Sequence, residues 1–118
     1  MAKPTRLTQE MIDENMARGF WDGSGIADIL ERNARFYPGE EALVDSRTRL
    51  TWSGLQEAAC SMAAGLIQRG LQRDQALVAQ MPTSALTLVL LLACHRAGIL
   101  CCFPPMTCLL YTSDAADE

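Results

Sequence analysis

The sequence predicts an α/β domain with mostly parallel strands and packed helices, and three observations predict it. From residue 42 onward the pattern runs strand, return strand, helix, strand, helix, strand, an alternation that builds parallel sheets through right-handed crossovers. The run Ala76-Leu77-Val78-Ala79-Gln80-Met81 is mostly apolar, the composition of a strand covered on both faces. The 118 residues are 49% apolar and 20% charged, which suits one globular unit that can bury a modest core.

The elements follow in order. Gln9 to Arg18 reads as a short helix, and Gly19-Phe20-Trp21-Asp22-Gly23-Ser24 as a loop carrying two aromatics. Ile26, Ile29, Leu30, Asn33, Ala34 and Tyr37 recur at spacings of three and four, one face of an amphipathic helix that Pro38-Gly39 stops. Ala42-Leu43-Val44-Asp45, the polar turn Ser46-Arg47-Thr48 and Arg49-Leu50-Thr51 predict a hairpin. Thr51 is placed to cap the next helix, because its hydroxyl can accept from an unpaired N–H of the first turn.

In that helix Leu55, Ala58, Ala59, Met62, Ala63, Leu66 and Ile67 form the stripe expected to be buried, its alanines suggesting close packing against a sheet. Gly70 stands where a left-handed cap is wanted. Pro82 ends the Ala76–Met81 strand, and Thr83 or Ser84 caps a helix running to Ala97 that Gly98 closes. Ile99 to Phe103 is the last strand, ended by Pro104-Pro105.

Charge points to no nucleic-acid partner. Of the net charge of −4, Asp114, Asp117 and Glu118 supply three, leaving −1 on the first 107 residues with no clustered bases. The apolar stretch Ala85 to Cys94 is broken by His95-Arg96 well short of the roughly 20 residues of a membrane span, so no transmembrane segment is predicted. Met1 to Gly19 has no basic start followed by an apolar run, so no secretory signal is read and a cytoplasmic location is expected.

No catalytic, cofactor-binding or metal-binding residue is assigned. A phosphate cradle needs glycines that let backbone N–H groups approach an anion at a helix N-terminus, whereas the loops after the strands read Met81-Pro82-Thr83-Ser84 and Pro104-Pro105-Met106-Thr107. The cysteines at 60, 94, 101, 102 and 108 contain no C-x-x-C. Cys101 and Cys102 point to opposite faces of a strand, and Cys94 and His95 diverge by about 100 degrees around a helix, so buried reduced thiols are expected rather than zinc ligands. His95, the sole histidine, and Arg96 sit where cations complement a helix C-terminus. Asp13, Glu14, Asp28, Glu31, Glu40 and Glu41 read as solvated charge, and Phe20 with Trp21 as packing over the adjacent helix. Lys3 is the only lysine.

Two signatures carry a family resemblance: Leu50-Thr51-Trp52-Ser53-Gly54-Leu55 and His95-Arg96-Ala97-Gly98-Ile99-Leu100. They resemble the first two core motifs of the adenylate-forming enzymes, the acyl-CoA synthetase and acyl-AMP ligase superfamily, written L-T-Y-x-E-L and L-x-A-G-x-x-x-x-P. Phe20-Trp21-Asp22-Gly23 and Gln80-Met81-Pro82-Thr83-Ser84 are similar to further elements of that family, and the resemblance covers Phe20 to about Met106. Gly54, Thr83 and Cys101-Cys102-Phe103 depart from its usual residues, at scaffold positions.

The resemblance implies an incomplete N-terminal subdomain of an AMP-dependent synthetase. The division it implies is residues 1–24 as helix and loop, 25–107 as the partial subdomain, and 108–118, where periodicity is lost and the charge turns acidic, as a non-native tail. The intact parent is then expected to activate a carboxylic acid with ATP and Mg²⁺ as an acyl-adenylate and to pass it to coenzyme A or a carrier thiol. Its partner would be the missing remainder of the parent chain, and the fragment alone is expected to be inactive. A self-contained small α/β interaction or ligand-binding domain is the alternative.

Overall fold

The computed structural model describes residues 6–107; Lys3, Cys108 and the segment 108–118 lie outside them. Among the described residues the elements follow in the order α1 (Gln9–Ala17), α2 (Ile26–Phe36), β1 (Glu41–Val44), β2 (Arg49–Thr51), α3 (Trp52–Gln68), β3 (Ala76–Val78), α4 (Ala85–Ala97) and β4 (Leu100–Cys102). β1 and β2 form an antiparallel hairpin, and β3 pairs in parallel with β4. The architecture is α/β with packed helices, and its parallel character is confined to the β3–β4 pair among the described residues.

The core lies between helices. Leu30 of α2, Leu55 and Ala59 of α3, and Val89 and Leu92 of α4 form one buried cluster, with Leu43 and Leu50 of the hairpin packed against it. α3 therefore packs chiefly against α4, with the hairpin sheet that the alanines led one to expect as its smaller neighbour. Ala59 has no exposed surface, and the element α3 meets most extensively is α4. Small side chains allow the two helix axes to approach, so Leu92 and Val89 can fill the space between them. The ends of the predicted stripes stay wet, with Ile67 56% exposed on α3 and Ile26 and Ile29 each 44% exposed on α2.

Local chemistry accounts for the ends of the helices. Thr51 Oγ1 accepts from Gly54 N–H at 3.1 Å, as its place in the sequence predicts. At the other end of α3, Gly70 has φ of +98°. Its N–H bonds Ile67 O at 3.0 Å and Leu71 N–H bonds Leu66 O at 3.2 Å, the paired bonds of a Schellman cap. Gly98 closes α4 at φ +75°, and Ile99 N–H reaches back to Cys94 O at 2.9 Å.

The two strands of the parallel pair are shorter and less covered than predicted. β3 stops at Val78 rather than Met81, and both β3 and β4 bury their middle residue only partly. Ala76↔Leu100, Leu77↔Cys101 and Val78↔Cys102 are in register, which puts Ala76, Val78, Leu100 and Cys102 on one side. That side is exposed, with Val78 at 65% and Leu100 at 57%. The expectation of burial on both faces fails because α4 covers one side only.

Candidate functional site

A concavity joins the hairpin to the N-terminus of α4. Leu43 and Val44 of β1, Leu88 and Leu91 of α4, and Phe103 beyond β4 line an open apolar cleft of about 450 Å³. Asp45 stands at its rim. Its carboxylate accepts three backbone N–H bonds, from Arg47 at 2.8 Å and Thr48 at 2.6 Å through Oδ1, and from Ala85 at 2.8 Å through Oδ2.

The first two bonds close the hairpin turn, and the third caps a helix that starts 40 positions further along the chain. Ser84 is the N-cap residue of α4, one of the two residues that the sequence places there. Thr87 Oγ1, three residues on, accepts from Ser84 N–H at 3.3 Å and donates to Pro82 O at 2.8 Å. No pattern in the sequence signals the Asp45 contact, because only folding brings the hairpin turn beside α4.

The Ala85 N–H, then those of Arg47 and Thr48, hold the Asp45 carboxyl below its ordinary value of 3.8 against partial desolvation, with a smaller contribution from the Arg47 charge. A depressed folded-state pKa contributes stability that is fully present above the unfolded value and is lost as pH falls through the folded one. The expected result is a Tm that drops as pH is lowered from about 5 to about 2. The drop should be shallower in Asp45→Asn than in the parent chain. Equal slopes in the two proteins would show that this carboxylate does not link the hairpin to α4.

The helix N-termini are engaged by oxygens of the chain itself. Thr8 Oγ1 accepts from Met11 N–H at 3.2 Å in α1, and Asp28 Oδ2 accepts from Gly25 N–H at 2.8 Å in α2. Asp28 is exposed, as a solvated charge is expected to be, and also caps α2. With Thr51 on α3 and Asp45 on α4, two of the four positions already carry a negative group, which opposes binding of a phosphate there. These residues do not fit the triphosphate of a nucleotide.

The remaining candidates are dispersed. His95 and Arg96 line a shallow depression with residues 25–28. Cys94 is fully buried, and burial followed by the neighbouring Cys101 thiol pushes its pKa up to about 12, an unreactive thiol. Cys101 and Cys102 diverge as expected, one half-buried and one exposed. No group of three or more His, Cys, Asp or Glu among the described residues converges as a metal site. Phe20 and Trp21 share a cleft of about 470 Å³ with Ile12 and Met16 of α1. Phe20 is 69% exposed, so the expected packing over a helix is only partial. Glu14 pairs with Arg18 at 2.7 Å, and Glu41 with Arg49 across the hairpin. No helix among the described residues is long and apolar enough to cross a membrane.

Comparison with known proteins adds a family. The family model described as AMP-binding enzyme matches residues 30–104. A salicylyl-CoA synthase / salicylate adenylyltransferase of Streptomyces sp is 35% identical over 91 residues, covering 77% of this chain and 16% of that protein. The medium-chain fatty-acid–CoA ligase of Escherichia coli (strain K12) is 29% identical over 82 residues, covering 69% of this chain and 14% of that protein. Among solved structures, the apo structure of Mycobacterium smegmatis MbtA superposes with a TM-score of 0.76 at 31% identity, over 85% of this chain and 19% of that one. The chain thus spans less than a fifth of each of these proteins.

Proposed function

The chain belongs to the AMP-binding enzyme family, and from that membership we propose that it is scaffold from the N-terminal part of a cytoplasmic ligase. The whole enzyme activates a carboxylic acid with ATP and Mg²⁺ as an acyl-adenylate and passes the acyl group to coenzyme A or a carrier thiol. The observation that carries the scaffold assignment is the state of the helix N-termini, where Thr8, Asp28, Thr51 and Asp45 already engage donors that an anion would need. Adenylation requires cationic or N–H groups preorganised around the phosphates, and those groups belong to the rest of the enzyme.

The test is carboxylate-dependent exchange of pyrophosphate into ATP, with an acid panel that includes salicylate and a medium-chain fatty acid. This chain is expected to give no exchange above a no-protein control, and a longer protein read through position 107 from the parental DNA is expected to exchange with at least one acid. Exchange by the chain itself overturns the scaffold assignment. A longer protein that stays silent with every acid overturns the ligase assignment.

The same reading treats residues 108–118 as foreign to the fold. Deleting them is expected to change the unfolding free energy by less than about 0.5 kcal/mol, the range for substitutions away from packed features. A loss above about 2 kcal/mol in chemical denaturation would identify the segment as packed and native.

A further inference from the structure

We propose that Cys94 and Cys101 are a modification site, a thiol pair that oxidises to a disulfide and so fastens β4 to the last turn of α4; the site concerns this chain's own sulfurs and stands apart from the functional reading above. Cys94 lies in the last turn of α4 and has no exposed surface. The chain then reverses at Gly98, and Ile99 N–H bonds back to Cys94 O at 2.9 Å. That turn lays β4 across the end of the helix it leaves. Side chains alternate along a strand, and the covered residue of β4 is the middle one. Leu100 and Cys102 are exposed, whereas Cys101 is half-buried. Cys101 therefore faces α4, where the two thiols are in hydrogen-bond contact.

Contact decides which cysteines can join. Two thiols that already touch need only lose two hydrogens and draw together to a bond of about 2.05 Å. Cys102 adjoins Cys101 in sequence but points to the other side of the strand. A disulfide needs Cβ atoms about 3.8 Å apart, which side chains directed to opposite faces do not offer.

Access sets the order of events. Cys101 is the sulfur that an oxidant reaches, because Cys94 is sealed. With hydrogen peroxide as the oxidant, the Cys101 sulfur attacks one peroxide oxygen, the O–O bond breaks, water leaves, and Cys101 becomes a sulfenic acid. The Cys94 sulfur then attacks the Cys101 sulfur, the S–O bond breaks, and the hydroxyl leaves with the Cys94 proton as a second water. Two thiols and one peroxide give one disulfide and two waters, each sulfur losing one electron and the peroxide gaining two. Burial keeps Cys94 protonated and inert toward reagents in solvent, but its target lies beside it. Fixed proximity replaces a bimolecular encounter, and a thiolate of high pKa is the stronger nucleophile once formed. The resulting ring spans residues 94–101 and encloses the Gly98 turn. Since β4 pairs with β3, the bond ties the parallel pair to α4 through a link that a reductant reopens.

The test treats the full chain with hydrogen peroxide, blocks the remaining thiols with N-ethylmaleimide, and digests with trypsin without reduction. Cleavage after Arg73 and Arg96 puts Cys94 in peptide 74–96, and Cys101, Cys102 and Cys108 in peptide 97–118. The expected product is these two peptides joined, two hydrogens lighter than their sum, with fragmentation locating the bond at Cys101. Its yield should exceed that of any other cysteine pair by at least about tenfold, and dithiothreitol should separate the peptides. Cys102→Ser should keep the link and Cys101→Ser should remove it, with Cys101→Ala in its place if the serine variant does not fold. In urea, where the turn no longer holds the sulfurs together, the preference for this pair should be smaller.

A preference as large in urea as in the native chain overturns the proposal, and so does a link to Cys94 that survives in Cys101→Ser. Conversion of Cys101 to a sulfinic acid with Cys94 still free overturns it, as does linkage between chains through Cys102 with Cys94 unmodified. The linked chain should also melt at a higher temperature than the reduced one. A Tm that is unchanged or lower overturns the fastening of β4.

Discussion

Leu55→Ala is expected to lower the unfolding free energy by about 2–5 kcal/mol, the usual cost of deleting a buried leucine side chain and leaving part of the cavity behind. Leu55 is 2% exposed and sits where α2, α3 and α4 meet, in contact with the cluster of Leu30, Ala59, Val89 and Leu92. The neighbouring alanines are too small to fill the space by changing rotamer, which argues for the upper half of that range. Native domains have a total stability of about 5–15 kcal/mol, so the loss is a large share of it. In thermal denaturation the Tm should fall by roughly 10 °C or more. Ile67→Ala, at a position 56% exposed on the same helix, is the control and should stay within about 0.5 kcal/mol. Similar losses at the two positions would show that the α2–α3–α4 junction is not the core.

Gly98→Ala is expected to cost about 1–3 kcal/mol, the penalty for holding a residue with a Cβ in a disfavoured backbone region. Two independent effects combine there. The backbone sits at φ +75°, and a Cβ built on it would lie 3.0 Å from Arg73 Cγ. Neither partner can drift far, because Asp74 N–H donates to Gly98 O at 2.9 Å and ties the loop after α3 to this point. Gly98→Asn separates the two effects, since asparagine tolerates the left-handed region but still carries the Cβ. If the backbone term dominates, the asparagine variant recovers most of the loss. If the contact dominates, Arg73→Ala in the Gly98→Ala background recovers it instead. An alanine variant as stable as the parent in urea denaturation would show that the turn relaxes freely and that the glycine is not required.

The signature residues were legible for local reasons. Thr51 lies next to the helix it caps, and Gly70 and Gly98 lie at helix ends where positive φ excludes most other residues. Each can be read from a window of a few positions, as can the hairpin turn and the stop at Pro82. The family resemblance of the two motifs rests on the same positions, which is why the family was legible although the chain holds a small share of its relatives' length. The second acceptor at the start of α4, Asp45, was not legible. A carboxylate 40 positions upstream accepts from Ala85 N–H at the start of the helix whose N-cap residue is Ser84, and it arrives already oriented by two bonds within its own turn.

Periodicity in the chain by itself determined which segments are helices and strands, and which residue types end them, since those depend on backbone sterics and on hydrogen bonds within a turn. Only the tertiary structure decided which neighbour each apolar stripe meets. α3 packs chiefly against α4 and less against the hairpin sheet, and Val78 and Leu100 remain exposed although their composition suits burial. The hydrophobic effect fixes that apolar surface should leave water but carries no direction, so the partner is set by which elements the chain connections bring within reach.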